Sequence, residues 1–195
     1  MKTLLIQFGL IVVPFLSAFS QSRVSLAPTY WFNYGNYAYQ TATLHADPAT
    51  KPYTVASAVG LTARYHFTDT WNFSLGVLYN KNKSPVLFPG MIKVNLITNF
   101  VQLPALLHFR SSTHRLSPYF SAGPVFSFYK VVSNQVKTSL VLGAGVDYRL
   151  NDKLSWLLEP TYSYLLYNPA DTTFEQFINY EAYAFGVQTQ LIWRF

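Results

Sequence analysis

The segment Tyr183-Ala184-Phe185-Gly186-Val187-Gln188-Thr189-Gln190-Leu191-Ile192-Trp193-Arg194-Phe195 decides the fold. Its odd positions carry Tyr, Phe, Val, Thr, Leu, Trp and Phe; its even positions carry Ala, Gly, Gln, Gln, Ile and Arg. Successive side chains on a strand point to opposite faces, so this is a β-strand with one apolar face and one small or polar face. An aromatic last residue does little for a soluble domain, whose termini are solvated.

The composition points the same way. Of 195 residues, half are hydrophobic and 18% aromatic, while only 11% are charged. Soluble domains carry about 25% charged residues, so this chain is not building an ordinary water-facing surface. Sixteen Phe, 15 Tyr and four Trp favour strands over helices. The absence of Cys excludes a disulfide framework and a thiolate metal site. The net charge of +6 is scattered, and without a basic face it gives no footing for nucleic acid.

Residues 1–20 are expected to be a signal peptide. Met1-Lys2 is a positive start, Leu4 to Leu16 a short apolar core, and Ser17-Ala18-Phe19-Ser20 offers small residues where a signal peptidase cuts. Cleavage between Ser20 and Gln21 would leave residues 21–195 as one exported domain.

Working back from the last strand, the same alternation recurs seven times. Val24, Leu26, Tyr30, Phe32 and Tyr34 share a face, with Trp31 falling on the polar one. Val55 to Phe67 and Trp71 to Tyr79 form a hairpin about Thr68-Asp69-Thr70. Asn99 to Arg110, Leu116 to Phe128, Ser139 to Leu150 and Leu154 to Tyr164 follow. Gly35–Tyr53, Asn80–Leu96 and Tyr167–Asn179 read as long polar loops, whereas Ser111–Arg115 and Asn151–Lys153 are short turns. Within the second loop Val86 to Met91 is an apolar patch, expected to fold over the barrel mouth, the alternative being a contact site for a partner. Pro104, Pro124 and Pro160 fall inside strands, where a missing N–H predicts bulges or strain.

Eight strands whose connections alternate between long and short, with one exception on the long side near Ser133, predict an all-β, eight-stranded antiparallel up-and-down β-barrel, transmembrane rather than soluble. A lipocalin-like barrel also alternates, so the ionisable residues decide. Arg23, Arg64, His66, His108, Arg110, Asp147, Arg149, Glu159 and Arg194 all take the polar parity. Lipid would enforce this, since a charge at mid-bilayer costs about 2–4 kcal/mol on the outer face of such a barrel. Glu181 breaks the parity, near a strand end. Aromatics gather at both strand ends: Phe67, Trp71, Phe109, Trp156, Trp193 and Phe195 at one rim, and Tyr34, Tyr79, Phe128, Tyr164 and Tyr183 at the other.

The closing strand, with Leu191, Trp193 and Phe195, resembles the sorting signal of bacterial outer-membrane β-barrels. Gln102-Leu103-Pro104-Ala105-Leu106-Leu107 and Gly143-Ala144-Gly145-Val146-Asp147-Tyr148-Arg149-Leu150 resemble the small outer-membrane barrel family of Bacteroidota, which includes PorT-like proteins. That resemblance implies insertion by the barrel-assembly machinery, outer-membrane lipid as surroundings, and N- and C-termini on the periplasmic side. It implies no activity, and a tie to protein secretion belongs to one branch only.

Buried charges must be paired, so Arg64, Arg110, Asp147, Arg149 and Glu159 are expected to form a lumen charge network that stabilises the barrel. The alternative is a water or proton path. A lipid-modifying Ser hydrolase needs a His and a carboxylate near an outward Ser, and His45, His66, His108 and His114 offer no such set. They also offer no metal spacing, so neither a cofactor nor a metal is expected. What remains is a structural role, or an interaction through the extracellular loops with an envelope partner, without a wide pore.

Overall fold

The computed structural model describes residues 23–41, 53–88, 92–129, 135–167 and 177–195. Eight strands run in chain order: β1 (Val24–Thr41), β2 (Tyr53–His66), β3 (Trp71–Phe88), β4 (Ile92–Arg110), β5 (Leu116–Tyr129), β6 (Gln135–Arg149), β7 (Leu154–Tyr167) and β8 (Phe177–Arg194). Each pairs antiparallel with its sequence neighbours, and β1 pairs with β8 from Ser25↔Arg194 to Thr41↔Phe177, closing the barrel. Ser20, Gln21, His45 and the side chain of Glu181 lie outside the described residues.

The two faces separate as the alternation requires. Leu61, Leu75, Val77, Leu142, Phe185 and Leu191 project outward and exposed, while Arg64, Arg110, Asp147 and Glu159 are almost wholly buried within. A soluble protein rarely exposes a contiguous apolar skin on this scale. Even the hydroxyl on the outward face of β8 is satisfied, because the Trp156 indole N–H donates to Thr189 Oγ1 at 2.8 Å. Leu191, Trp193 and Phe195 face outward with it.

Closure of so few strands needs a tightly coiled wall, and glycine provides it on the inner face. A Cβ on Gly60 would stand 2.0 Å from Val77 O, and one on Gly123 2.2 Å from Ala105 O. Neither neighbour can retreat, since both belong to the adjoining strand.

The short turns are held by their own side chains. Thr68 Oγ1 accepts Trp71 N at 2.9 Å, and Asn151 Oδ1 accepts Lys153 N and Leu154 N at 2.9 and 2.8 Å. These compete for donors that the ladder leaves free at a hairpin end.

Two expectations are corrected. First, the strands continue through much of what reads as loop: β1 runs to Thr41, β3 to Phe88, and β4 begins at Ile92. Val86 to Phe88 stay in register with Ile92 to Val94, so this segment extends the wall instead of folding over its mouth. Residues 89–91 lie outside the described residues. The period-two pattern fades there because Asn80-Lys81-Asn82-Lys83-Ser84 is polar at both parities. Second, no bulge marks Pro104, Pro124 or Pro160. The register is the same on either side of each, and the ladder skips pairs beside them instead. The Pro104 ring fits because Gly76 faces it: a Cβ there would lie 2.9 Å from Pro104 Cγ. The two register shifts occur elsewhere, at Gln40/Thr41 and Thr138/Ser139.

Overpacking of this kind costs about 1–3 kcal/mol. Gly60→Ala should therefore lower the stability of the detergent-folded barrel by that order in urea unfolding. Gly35→Ala, whose Cβ would meet nothing nearer than 3.2 Å, should cost measurably less. Equal costs would show that the close approach at Gly60 does not hold.

Candidate functional site

The lumen is where the chemistry-bearing side chains converge, and it is divided along its length. At the end opposite the short turns lies a cavity of about 110 Å³ among Asn33, Asn80, Asn82, Phe100, Gln102 and Ser127. Asn80 Nδ2 donates to Gln102 Oε1 at 3.0 Å, and Gln102 Nε2 donates to Ser127 Oγ at 3.4 Å. This is a cup of neutral amides and hydroxyls, with Lys137 at its edge over the Tyr129 ring, 4.9 Å from its centroid.

Below the cup, Trp31, Ala58, Leu78, Leu106, Val125 and Val141 pack into one apolar septum across the lumen. Trp31, 2% exposed, spans past β8 to donate its indole N–H to Thr161 Oγ1 on β7 at 3.0 Å. A second apolar group, Ala27, Tyr119, Leu157 and Ile192, lies nearer the short turns. The sequence marks Trp31, Leu78, Leu106, Val125 and Val141 only as large apolar residues on the small or polar face of their strands, that is, as breaks in alternation. They become a septum because the barrel register brings one break from each of several strands to the same level.

The five residues expected to form a charge network are all inward, but they do not form a single chain of ion pairs. Arg110 Nε lies 3.3 Å from Asp147 Oδ2, and Arg110 Nη2 donates to His114 O at 2.9 Å. Arg64 instead turns to neutral acceptors, donating to the Tyr119 hydroxyl and to Gln190 Oε1. Its guanidinium also sits 5.4 Å from the centroid of the Tyr119 ring. Glu159 is fully buried and, among the described residues, makes no ion pair. It fits because Gly143 is opposite: a Cβ there would meet Glu159 Oε1 and Ser121 Oγ at 2.5 Å each. Arg149 stands half-buried at the short-turn rim, where its N–H bonds Arg115 O at 2.7 Å.

Sequence spacing does not show two histidine–serine contacts. Ser74 Oγ lies 2.6 Å from His108 Nε2, and Ser25 Oγ 2.9 Å from His66 Nε2. The signal for them is register: Asn72 faces His108 and Arg64 faces Ser25, which puts each Ser one step diagonally from its His. A hydroxyl and an imidazole in contact resemble half of a nucleophilic site. The other half is missing, because His108 Nδ1 has no carboxylate or other partner and the pair is sealed from the outer surface. Among the described residues no group of three or more His, Cys, Asp or Glu could hold a metal ion.

Removing one member of a buried pair leaves an uncompensated charge, at a cost of about 3–5 kcal/mol. Asp147→Ala should lower unfolding free energy by that order. Glu159→Gln, which removes no ion pair, should change it by under about 1 kcal/mol. Equal losses for both would mean that the Arg110–Asp147 contact carries no special share.

Comparison with known proteins agrees with the geometry. The crystal structure of the outer membrane protein OprG from Pseudomonas aeruginosa superposes with a TM-score of 0.56 at 14% identity, covering 90% of this chain and 97% of that one. Neisserial surface protein A gives a TM-score of 0.50 at 11% identity, covering 87% and 99%. At these identities the likeness is one of fold. Among curated proteins none matches the sequence. The profile of the outer membrane protein beta-barrel domain matches residues 8–190, and the chain belongs to that family.

Proposed function

We propose that this outer-membrane barrel is a closed scaffold which conducts no solute and whose work is interaction at its outer end. The observation that carries this reading is the septum. Trp31, Leu78, Leu106, Val125 and Val141 are each at most 2% exposed and gather, from β1 to β6, into one apolar cluster between the amide cup and the charged end. A barrel of eight strands is just wide enough for side chains to fill, and here β1 to β6 fill mid-height with apolar groups, beside Thr161 and Gln188 of β7 and β8. That also weakens the water or proton path, which needs continuous polar groups.

The wall supports the interactive half of the proposal. A spanning strand needs about 9–11 residues, yet β1, β3 and β8 have 18 and β4 has 19. The β3–β4 and β8–β1 ribbons thus have length to spare beyond the lipid. Placing both termini and the short turns in the periplasm, as in relatives of this architecture, puts those ribbons at the cell surface. An accessory role in secretion, suggested by the resemblance of Gln102–Leu107 and Gly143–Leu150 to PorT-like proteins, differs in what the barrel would hold.

Planar-bilayer recording tests the septum directly. The intact chain should show no steady channel steps, and Trp31→Ala with Leu106→Ala should introduce them; steps from the intact chain would refute closure. Replacing residues 84–96 with a two-residue Asn-Gly turn tests the ribbon. The shortened barrel should still fold but lose its cross-linked envelope partners, whereas retention of all of them would defeat the interactive role. Secretion components among those partners would favour the accessory reading.

A further inference from the structure

The charges at the short-turn end of the lumen do not balance. Arg194 lies within electrostatic range of Arg64, Arg110, Arg149 and Asp147. Four guanidiniums thus face Asp147 there, and with Glu159 counted from above they outnumber the lumen carboxylates by two; Asp69, on the adjoining turn, acts on the same cluster only through its reach to His66. Buried or half-buried charge without a counter-charge is costly.

The donors left over are arranged around one place. Arg149, on β6, pairs across the ladder with Ser155 of β7, and the backbone N–H of Arg194 on β8 bonds Lys153 O at 2.8 Å. Arg149 therefore stands level with Ser155, and Arg194 one step diagonally from it beyond the Ser155–Ile192 pair, on three consecutive strands at the same rim. Ser155 is 2% exposed and its hydroxyl has no hydrogen-bond partner. Arg149 Nε and Arg194 Nε likewise have none, and neither does Nη1 of the 2% exposed Arg110. Asp147 occupies Arg110 on its other side.

We infer that this mouth binds a phosphate-class oxyanion, held between Arg149 and Arg194 over the Ser155 hydroxyl, with Arg110 Nη1 as a further donor. The chemistry selects such a ligand. Guanidinium forks match the paired oxygens of a phosphate, and several oxygens can accept from several directions at once. A bound dianion would offset the two excess positive charges. The site is separate from the amide cup, lies on the other side of the septum, and does not depend on what the outer ribbons contact.

The test uses the full chain folded in a neutral detergent at constant ionic strength, with chloride exchanged stepwise for inorganic phosphate. A parallel series uses glycerol 3-phosphate, which presents the same group as a lipid headgroup would. Melting temperature and ³¹P line width are followed. A saturable rise in melting temperature with ³¹P broadening is expected, retained in Lys153→Gln, a cation on the neighbouring turn, and lost in Arg149→Gln with Arg194→Gln. Should the double variant not fold, Ser155→Ala keeps both arginines and is expected to weaken affinity about tenfold, the effect of losing one hydrogen bond to a charged group. A response to inorganic phosphate alone identifies the free ion, and a stronger response to glycerol 3-phosphate identifies the headgroup. No response beyond that to chloride, or one that persists unchanged in these variants, overturns the site.

Discussion

In hydrocarbon there is no water to satisfy a free N–H or C=O, so an open sheet edge is not tolerated. The β1–β8 ladder is what removes the edge here, joining residues 25–41 to 177–194. The outward apolar skin, the inward charges and the tightly coiled wall all follow from that closure. Once the sheet is sealed at eight strands, the interior is too narrow for bulk water, and inward polar side chains compete for the few protein partners there. Arg64 reaching Tyr119 and Gln190, and Trp31 reaching Thr161, are two solutions to the same shortage.

Much of this is legible in the chain. The number of strands, their faces and their short turns follow from alternation and turn chemistry, because lipid on one side and a narrow lumen on the other impose a strict period of two. The inward placement of Arg64, Arg110, Asp147 and Glu159 follows from the same rule. Strand length is less legible. After Tyr79, residues 80–84 of β3 are polar at both parities and carry no alternating signal, even though the ladder continues to Phe88.

The lumen's internal divisions are legible only through register. Trp31, Leu106, Val125 and Val141 each look like an imperfection in its own strand, and the sequence contains nothing that says they meet. The Gly76–Pro104 fit and the Ser74–His108 contact depend likewise on which residue of one strand stands beside which residue of the next. Ion pairing has the same limit: parity places five charged residues inside, but only geometry shows that Arg110 takes Asp147 while Glu159 takes no cation. The interior is thus partitioned by pairwise neighbours, not by composition.

The seam between the first and last strands has a consequence for biogenesis. Its two halves are the most widely separated pairing partners in the chain, so β1 must wait with one raw flank until β8 arrives. Pairings of such long range form slowly and leave the growing sheet prone to self-association. A polypeptide cut short before Phe177 would retain two unsatisfied flanks permanently, each a template for another chain. Completion of the cylinder therefore doubles as an inspection step, in which only a full-length copy can bury its own borders and escape capture by its siblings.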